Sequence, residues 1–161
     1  MAELEMDGLA VPRPPETQDA LERNLSYLVN RLSAVGQAAQ NRRLAACGVN
    51  TVTLRTLSVL YIQDGLTVNE ITARAFAEQS TASRAIDSMV TAGLLERRIP
   101  PGDQRRREIG LTEAGRALLL QCWPHMAEHN ARLVEGIDAD DLETCRRVLA
   151  RMIENVRAQG S

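Results

Sequence analysis

Residues 80–115 read STASRAIDSMVTAGLLERRIPPGDQRRREIGLTEAG. The first third has helical spacing. On a wheel of 100° per residue, Ala82, Ile86, Met89 and Val90 cluster on one side. Ser80, Arg84, Asp87 and Thr91 lie opposite, with Thr81 and Ser88 on that flank. Gly93 stops the helix. Residues 94–99 can form a short strand. Pro100-Pro101-Gly102-Asp103 must then turn, because proline fixes φ and the pair cannot extend a helix. Residues 107–111 can return as the partner strand, and Thr112 caps the helix that follows. Residues 97–112 hold five arginines, although the whole chain has a formal net charge of −2.

Upstream, Thr67 and Glu70 have the T-x-x-E spacing of a capping box, which opens a short helix with Val68 and Ile71 inward. Before it, Thr53 is placed to cap a helix with Leu54, Leu57, Leu60 and Tyr61 inward, ended by Asp64-Gly65. A capped short helix, a turn and a second helix make a helix-turn-helix, and the hairpin behind it makes a winged helix. The arginine-rich turn is then the tip of the wing. The N-terminal part of the second helix of such a motif lies on the bases. That selects Ser80, Thr81 and Arg84, with Ser83 nearer the core edge as a backbone contact. Arg84 can pair with a guanine edge or hold a phosphate, and the residues leave both open. Arg105, Arg106 and Arg107 can reach phosphates or a minor groove.

Longer helices flank this unit. From Ala20 onward, Leu21, Leu25, Leu28, Leu32, Val35 and Ala39 form one apolar stripe sustained for five turns, longer than a small core needs, so a partner helix is expected. Gly48 and Asn50 break the pattern. After Thr112 comes a helix with Pro124 inside it, where a kink is expected. Gly136 ends it. Asp138 caps a last helix whose stripe is Leu142, Cys145, Leu149, Met152 and Val156.

Composition agrees with a mainly α fold. Of 161 residues, 44% are hydrophobic but only 2% aromatic, so the core is built from Leu, Val, Ile, Ala and Met. The near-neutral net charge argues against polyanion binding by the whole surface and allows a local basic patch. No apolar run reaches the ~18 residues of a membrane span. Residues 1–16 are acidic and proline-rich, unlike a signal peptide, and read as a mobile tail. Three cysteines with no metal-type spacing fit a reducing cytosol.

The segments STASRAIDSMVTAGLLERR and GDQRRREIGLTEAG together resemble the MarR family of bacterial transcription regulators. The matching residues are Ser83-Arg84, Gly93-Leu94-Leu95-Glu96-Arg97, Asp103-Gln104-Arg105 and Leu111-Thr112-Glu113-Ala114-Gly115, in that order and spacing. The likeness covers nearly everything from about Ala20 onward. It implies a single domain over 17–161, with 51–112 as the winged helix-turn-helix and 17–47 and 113–158 as dimerisation helices. It implies a cytoplasmic homodimer that binds double-stranded DNA at a pseudo-palindromic operator, with half-sites ~10 bp apart. Arg105 would enter the minor groove, with Asp103 orienting its guanidinium. Small aromatic or phenolic anions would be the effectors, and Trp123, His125 and Arg132 are the residues suggested for them. Ala82 stands where the family has a larger aliphatic, and Ala75-Phe76-Ala77 replaces its usual turn; Phe76 is expected to fill the volume Ala82 leaves.

Other readings of single features stay beside this one. His125 and His129 have an i, i+4 spacing that can hold a metal, but no third ligand is tied to them by a motif, so no metal and no cofactor is expected. Cys47, after Arg42 and Arg43, is the candidate for a thiol-based redox sensor, while Cys122 and Cys145 read as core. No nucleophile–base pair or phosphate loop points to an enzyme. The reading is a ligand-responsive DNA-binding regulator that represses by occupying its operator; the alternative from another class is a winged-helix protein-interaction module without DNA binding.

Overall fold

Side-chain caps set where the helices begin. In the computed structural model, which describes residues 13–75 and 79–159, α1 spans Gln18–Glu22 and Thr17 Oγ1 accepts the Ala20 amide at 3.1 Å. Helix α2 spans Leu25–Leu44, and Asn24 Oδ1 accepts the amides of Ser26 and Tyr27 at 3.0 and 3.3 Å. The stripe from Leu21 therefore runs over two helices. The periodicity carries across Arg23-Asn24, but the Asn24 side chain supplies a fresh N-terminus and interrupts the backbone ladder.

Two compact units make up the chain, up to Ala38 and from Ala39 onward. In the first, Glu22 pairs with Arg31 at 2.9 Å and Asp19 with Arg23 at 2.7 Å. Leu25, Leu28, Val29, Leu32 and Val35 are all exposed there. Residues 13–16 form no helix or strand; the rest of the proposed tail, 1–12, lies outside the described residues.

The second unit continues with a 3-10 turn, Ala45–Cys47, then α3 (Thr51–Ile62), α4 (Val68–Ala75), α5 (Gln79–Thr91), β1 (Leu95–Arg98), β2 (Glu108–Leu111), α6 (Glu113–Leu133) and α7 (Ala139–Gln159). Asn50, not Thr53, caps α3: its Oδ1 accepts the Thr53 amide at 2.9 Å, so the helix starts two residues before Thr53. The Thr67–Glu70 capping box forms as expected, with Glu70 Oε2 accepting the Thr67 amide at 2.7 Å. Helix α6 runs through Pro124 as one element, and Asp138 Oδ1 accepts the Asp141 amide at the start of α7. The family-type turn at Ala75-Phe76-Ala77, and with it the proposed filling by Phe76, lies outside the described residues apart from Ala75.

The core gathers where α3, α4, α5, the hairpin and α6 meet. Leu44, Leu57, Leu60, Leu66, Ile71, Ile86, Leu95, Ile109 and Cys122 are fully buried. Each such aliphatic side chain contributes roughly 1.5–3 kcal/mol of transfer free energy, offset by chain entropy. The strands pair antiparallel, Leu95 opposite Leu111 and Arg98 opposite Glu108. Ile109 also bridges to Leu66 on the α3–α4 connection, its amide donating to the Leu66 carbonyl at 2.8 Å. Helix α7 behaves differently. None of its described side chains is buried, and Val148, Leu149, Ile153 and Val156 are exposed at 47%, 40%, 44% and 70%. Cys145 is exposed with them, because the stripe expected to bury it is uncovered. No single helix among the described residues is long and apolar enough to cross a membrane.

Candidate nucleic-acid interface

The outward face of α5 is built by what its inward face buries. Ala82, Ile86 and Met89 sit in the core, which forces the residues half a turn away into solvent. Ser80, Thr81, Arg84, Asp87 and Ser88 are exposed and Ser83 is half-buried, matching the wheel. Gly93, at φ +72°, takes the left-handed position that ends α5. The Leu94 amide reaches back to the Met89 carbonyl and the Gly93 amide to that of Val90, closing a Schellman motif. This turn sends the chain directly into β1.

Thr112 ties the far side of the hairpin to the same place. Its hydroxyl lies 2.7 Å from the Gly93 carbonyl and 2.9 Å from that of Leu94, and it accepts the Gly115 amide at 3.0 Å. Gly115 is required by this closeness. A Cβ there would stand well under 3.0 Å from the Leu94 carbonyl oxygen and 2.9 Å from Leu111 Cδ1. The Leu-Thr-x-x-Gly sequence is thus a hinge plate joining α5, the wing and α6.

The five arginines of 97–112 divide by their partners. Arg97 pairs with Asp87 of α5. Arg98 lies 2.6 Å from Asp64 and 2.8 Å from Glu96. Arg106 lies 2.7 Å from Glu108 and 3.4 Å from Glu70. Arg107 donates to the carbonyls of Gln104 and Arg106 at 2.6 and 3.2 Å, and pairs with no carboxylate among the described residues. Neither Arg105 nor Arg84 pairs with a carboxylate among the described residues. The wing therefore presents its positive charge at Arg105 and Arg107, and α5 presents its own at Arg84.

Asp103 acts on the backbone. Its Oδ1 accepts the amides of Arg105 and Arg106 at 2.9 and 3.2 Å, which shapes the tip turn, whereas the resemblance implied a contact to the Arg105 guanidinium. Gly102, at φ +93°, supplies the left-handed residue that the turn needs. At the wing's root, partial burial pushes the Asp64 carboxyl up, but the Leu111 amide at 2.8 Å and the Arg98 guanidinium together hold it below its usual range. Glu70 is held low by the backbone and side-chain hydrogen bonds of Thr67, with Arg106 and Arg74 adding to them.

A separate cleft of about 310 Å³ opens between α3 and α6, lined by Ser58, Tyr61, Ile62, Leu119, Leu120 and Trp123. The Arg116 guanidinium lies 4.9 Å from the centre of the Tyr61 ring. Of the three residues suggested for an effector, Trp123 lines this cleft and His125 and Arg132 do not. On an α-helix, positions two and nine residues beyond Trp123 point to about the opposite side. Arg132 pairs with Glu128 at 2.7 Å instead, while His125 is half-buried and His129 buried. Among the described residues no group of three His, Cys, Asp or Glu side chains is placed to hold a metal ion. Cys47 is half-buried beside the fully buried Cys122, whose thiol is pushed up to about 12 by burial and by the neighbouring Cys47. The wing partners Asp64 and Glu70, the cleft residue Tyr61 and Arg116 on its ring were not evident as functional from the sequence. Arg116, Leu119, Leu120 and Trp123 do share an i, i+3, i+4, i+7 face that a helical wheel of α6 reveals.

Comparison with known proteins agrees with this geometry. A family model described as MarR family matches residues 48–106. A MarR-family transcriptional regulator from Silicibacter pomeroyi is 34% identical, with 84% of this chain and 92% of that one covered and a TM-score of 0.75. S. aureus MepR, solved in complex with DNA, is 26% identical over 84% of this chain and 98% of that one, also at a TM-score of 0.75. CouR from Rhodococcus jostii RHA1, solved with p-coumaroyl-CoA, shares the fold at 23% identity, with 82% of this chain and 93% of that one covered and a TM-score of 0.75. With its winged helix-turn-helix and this likeness, the chain belongs to the MarR family of transcriptional regulators and is a DNA-binding regulator of transcription.

Proposed function

We propose that the protein is a cytoplasmic homodimer that represses by occupying a pseudo-palindromic operator and releases it when a small aromatic or phenolic anion binds. The observation that carries the DNA part is the partition of the arginines: those at the wing root are neutralised, while Arg84 on α5 and Arg105 at the tip face no described carboxylate. Ser80, Thr81 and Arg84 contact the bases, Ser83 the DNA backbone, and Arg105 the minor groove, with Arg107 on a flanking phosphate. Asp103 holds the tip turn that presents Arg105. The winged helix-turn-helix comprises 51–112, and the helices within 17–47 and 113–158 supply the dimer. Support for the dimer comes from the uncovered apolar stripes of α2 and α7, which a second copy of the chain covers.

The cleft between α3 and α6 is the proposed effector site. Its volume lies at the lower end of the ~300–1,000 Å³ of small-molecule sites, and its lining is apolar and aromatic. Trp123 and Tyr61 stack on a ring, and Arg116 supplies a cation for the acid group. CouR, solved with p-coumaroyl-CoA, supports an aromatic effector, and MepR, solved with DNA, supports the operator part of the proposal. Helix α3 lines the cleft and also packs on α4 and α5. A ligand wedged against it favours a dimer whose two α5 helices are wrongly spaced for the operator, shifting the population away from DNA.

The test is selection from a random-sequence duplex library by the purified full chain. The expected product is an inverted repeat with half-sites about one helical turn, ~10 bp, apart. Recovery of sequences with no common element, at every salt concentration tried, contradicts the reading.

A further inference from the structure

Arg106 lies in the most basic run of the wing, yet its surroundings are acidic. The guanidinium is held between Glu108 Oε1, at 2.7 Å from Nε, and Glu70 Oε2, at 3.4 Å from Nη2. These carboxylates come from different parts of the fold: Glu108 opens β2, and Glu70 lies in the first turn of α4. Glu70 Oε2 is itself fixed, since it accepts the Thr67 amide at 2.7 Å and the Thr67 hydroxyl at 2.8 Å. Glu108 is the more enclosed carboxylate, with its Oε2 packed over Gly65 on the α3–α4 connection. A guanidinium with two carboxylates on it has a local charge of about −1, which repels a phosphate; to bind one, Arg106 must first leave both partners. Arg105, one residue away, faces no such competition among the described residues.

We propose that Arg106 is a positioning residue, a strut that fixes the wing against the first turn of α4 through Glu70 and Glu108 so that Arg105 is presented at a set distance from α5. This rests on the wing's contacting DNA, as proposed above. The strut spans the point where the hairpin's other anchors give out. Ile109 is tied to Leu66 and Leu111 to Asp64, but N-terminal to Glu108 only Arg106 links the β2 side of the wing to the helix-turn-helix among the described residues.

The test exploits a difference of sign. Glu70→Gln removes a negative charge near a polyanion and keeps an amide oxygen that can still accept the capping-box hydrogen bonds from Thr67. If Arg106 is a phosphate contact, this variant frees it, and DNA binding tightens. If Arg106 is a strut, Glu70→Gln weakens binding to the selected duplex by up to about five-fold, as expected for an exposed ion pair. Arg106→Ala then weakens it similarly with no change in the slope of log K against log salt, and the double variant is no weaker than Arg106→Ala alone. Hydrogen exchange of the wing amides, measured on the free protein, rises in both single variants. The proposal is overturned if Glu70→Gln tightens binding, if Arg106→Ala lowers the salt slope by ~0.9, or if exchange in the wing is unchanged in both. Arg105→Ala is run alongside. Should it leave DNA binding intact, the DNA reading of the wing fails, and the exchange measurement alone decides whether the strut exists.

Discussion

Gly115→Ala sets two physical effects against each other. In the first turn of a helix, alanine is favoured over glycine by up to about 1 kcal/mol, so propensity alone predicts a more stable protein. The packing predicts the opposite. The new Cβ would stand well under 3.0 Å from the Leu94 carbonyl oxygen and 2.9 Å from Leu111 Cδ1, where ordinary contact begins near 3.4 Å. The Leu111 methyl can rotate away, but the Leu94 carbonyl cannot, because it accepts from the Thr112 amide at 3.2 Å and lies 2.9 Å from the Thr112 hydroxyl. Relief requires α6 to separate from the base of the wing. Overpacking of this kind costs about 1–3 kcal/mol, and loosening the Thr112 cap about 1 kcal/mol more. The net expectation is a loss of roughly 1–3 kcal/mol, seen in urea denaturation as a lower midpoint with an unchanged slope. A variant as stable as the native protein, or more so, would refute the claim that this glycine is there for close approach.

Three further outcomes follow from the geometry. Asp64 has a depressed folded-state pKa, so its stabilising contribution is complete above pH ~4 and drains away as pH falls through the folded value. Asp64→Asn should lower stability at neutral pH and flatten the acid limb of the stability curve; parallel curves for the two proteins would remove Asp64 from the account. Trp123 is the only tryptophan and lines the cleft, so a hydroxybenzoate-type anion should quench its fluorescence saturably and Arg116→Ala should weaken that response. Quenching that stays linear in ligand would show collision alone. Leu149→Glu on α7 should convert a dimer into a smaller species in light scattering, and the native melting temperature should rise with protein concentration; a native protein that scatters as a monomer would contradict the dimer.

What the sequence made legible follows the range of the interactions. Local chemistry read correctly: the Thr67–Glu70 box, the Gly93 stop, the Thr112 and Asp138 caps and the burial of Ala82, Ile86 and Met89 all depend on residues within about one turn of each other. Errors of boundary arose where two capping residues competed. Asn50 and Thr53 can both cap, and Asn50 wins because it lies extended just after Gly48 in the left-handed conformation. Asn24 hides in an unbroken apolar rhythm for the same reason. The wing's charge was legible as a sum but not as a partition. Arg98 finds Asp64 across 34 residues and Arg106 finds Glu70 across 36, distances at which composition says nothing about pairing. The cleft was half legible: Trp123 was singled out, but helix geometry separates it from His125 and Arg132 and joins it to Leu119, Leu120 and residues of α3.

For the protein to work as proposed, α5 must read a specific sequence while Arg105 anchors the wing tip in the minor groove. Fluorescence-anisotropy titration of the selected duplex and a scrambled one, at two salt concentrations, tests it with Arg84→Ala and Arg105→Ala beside the native chain. The native chain should bind the selected duplex tightly and the scrambled one weakly, and Arg84→Ala should lose that preference. Arg105→Ala should weaken binding to the selected duplex. Equal affinity for both duplexes, or variants indistinguishable from the native chain, would contradict it.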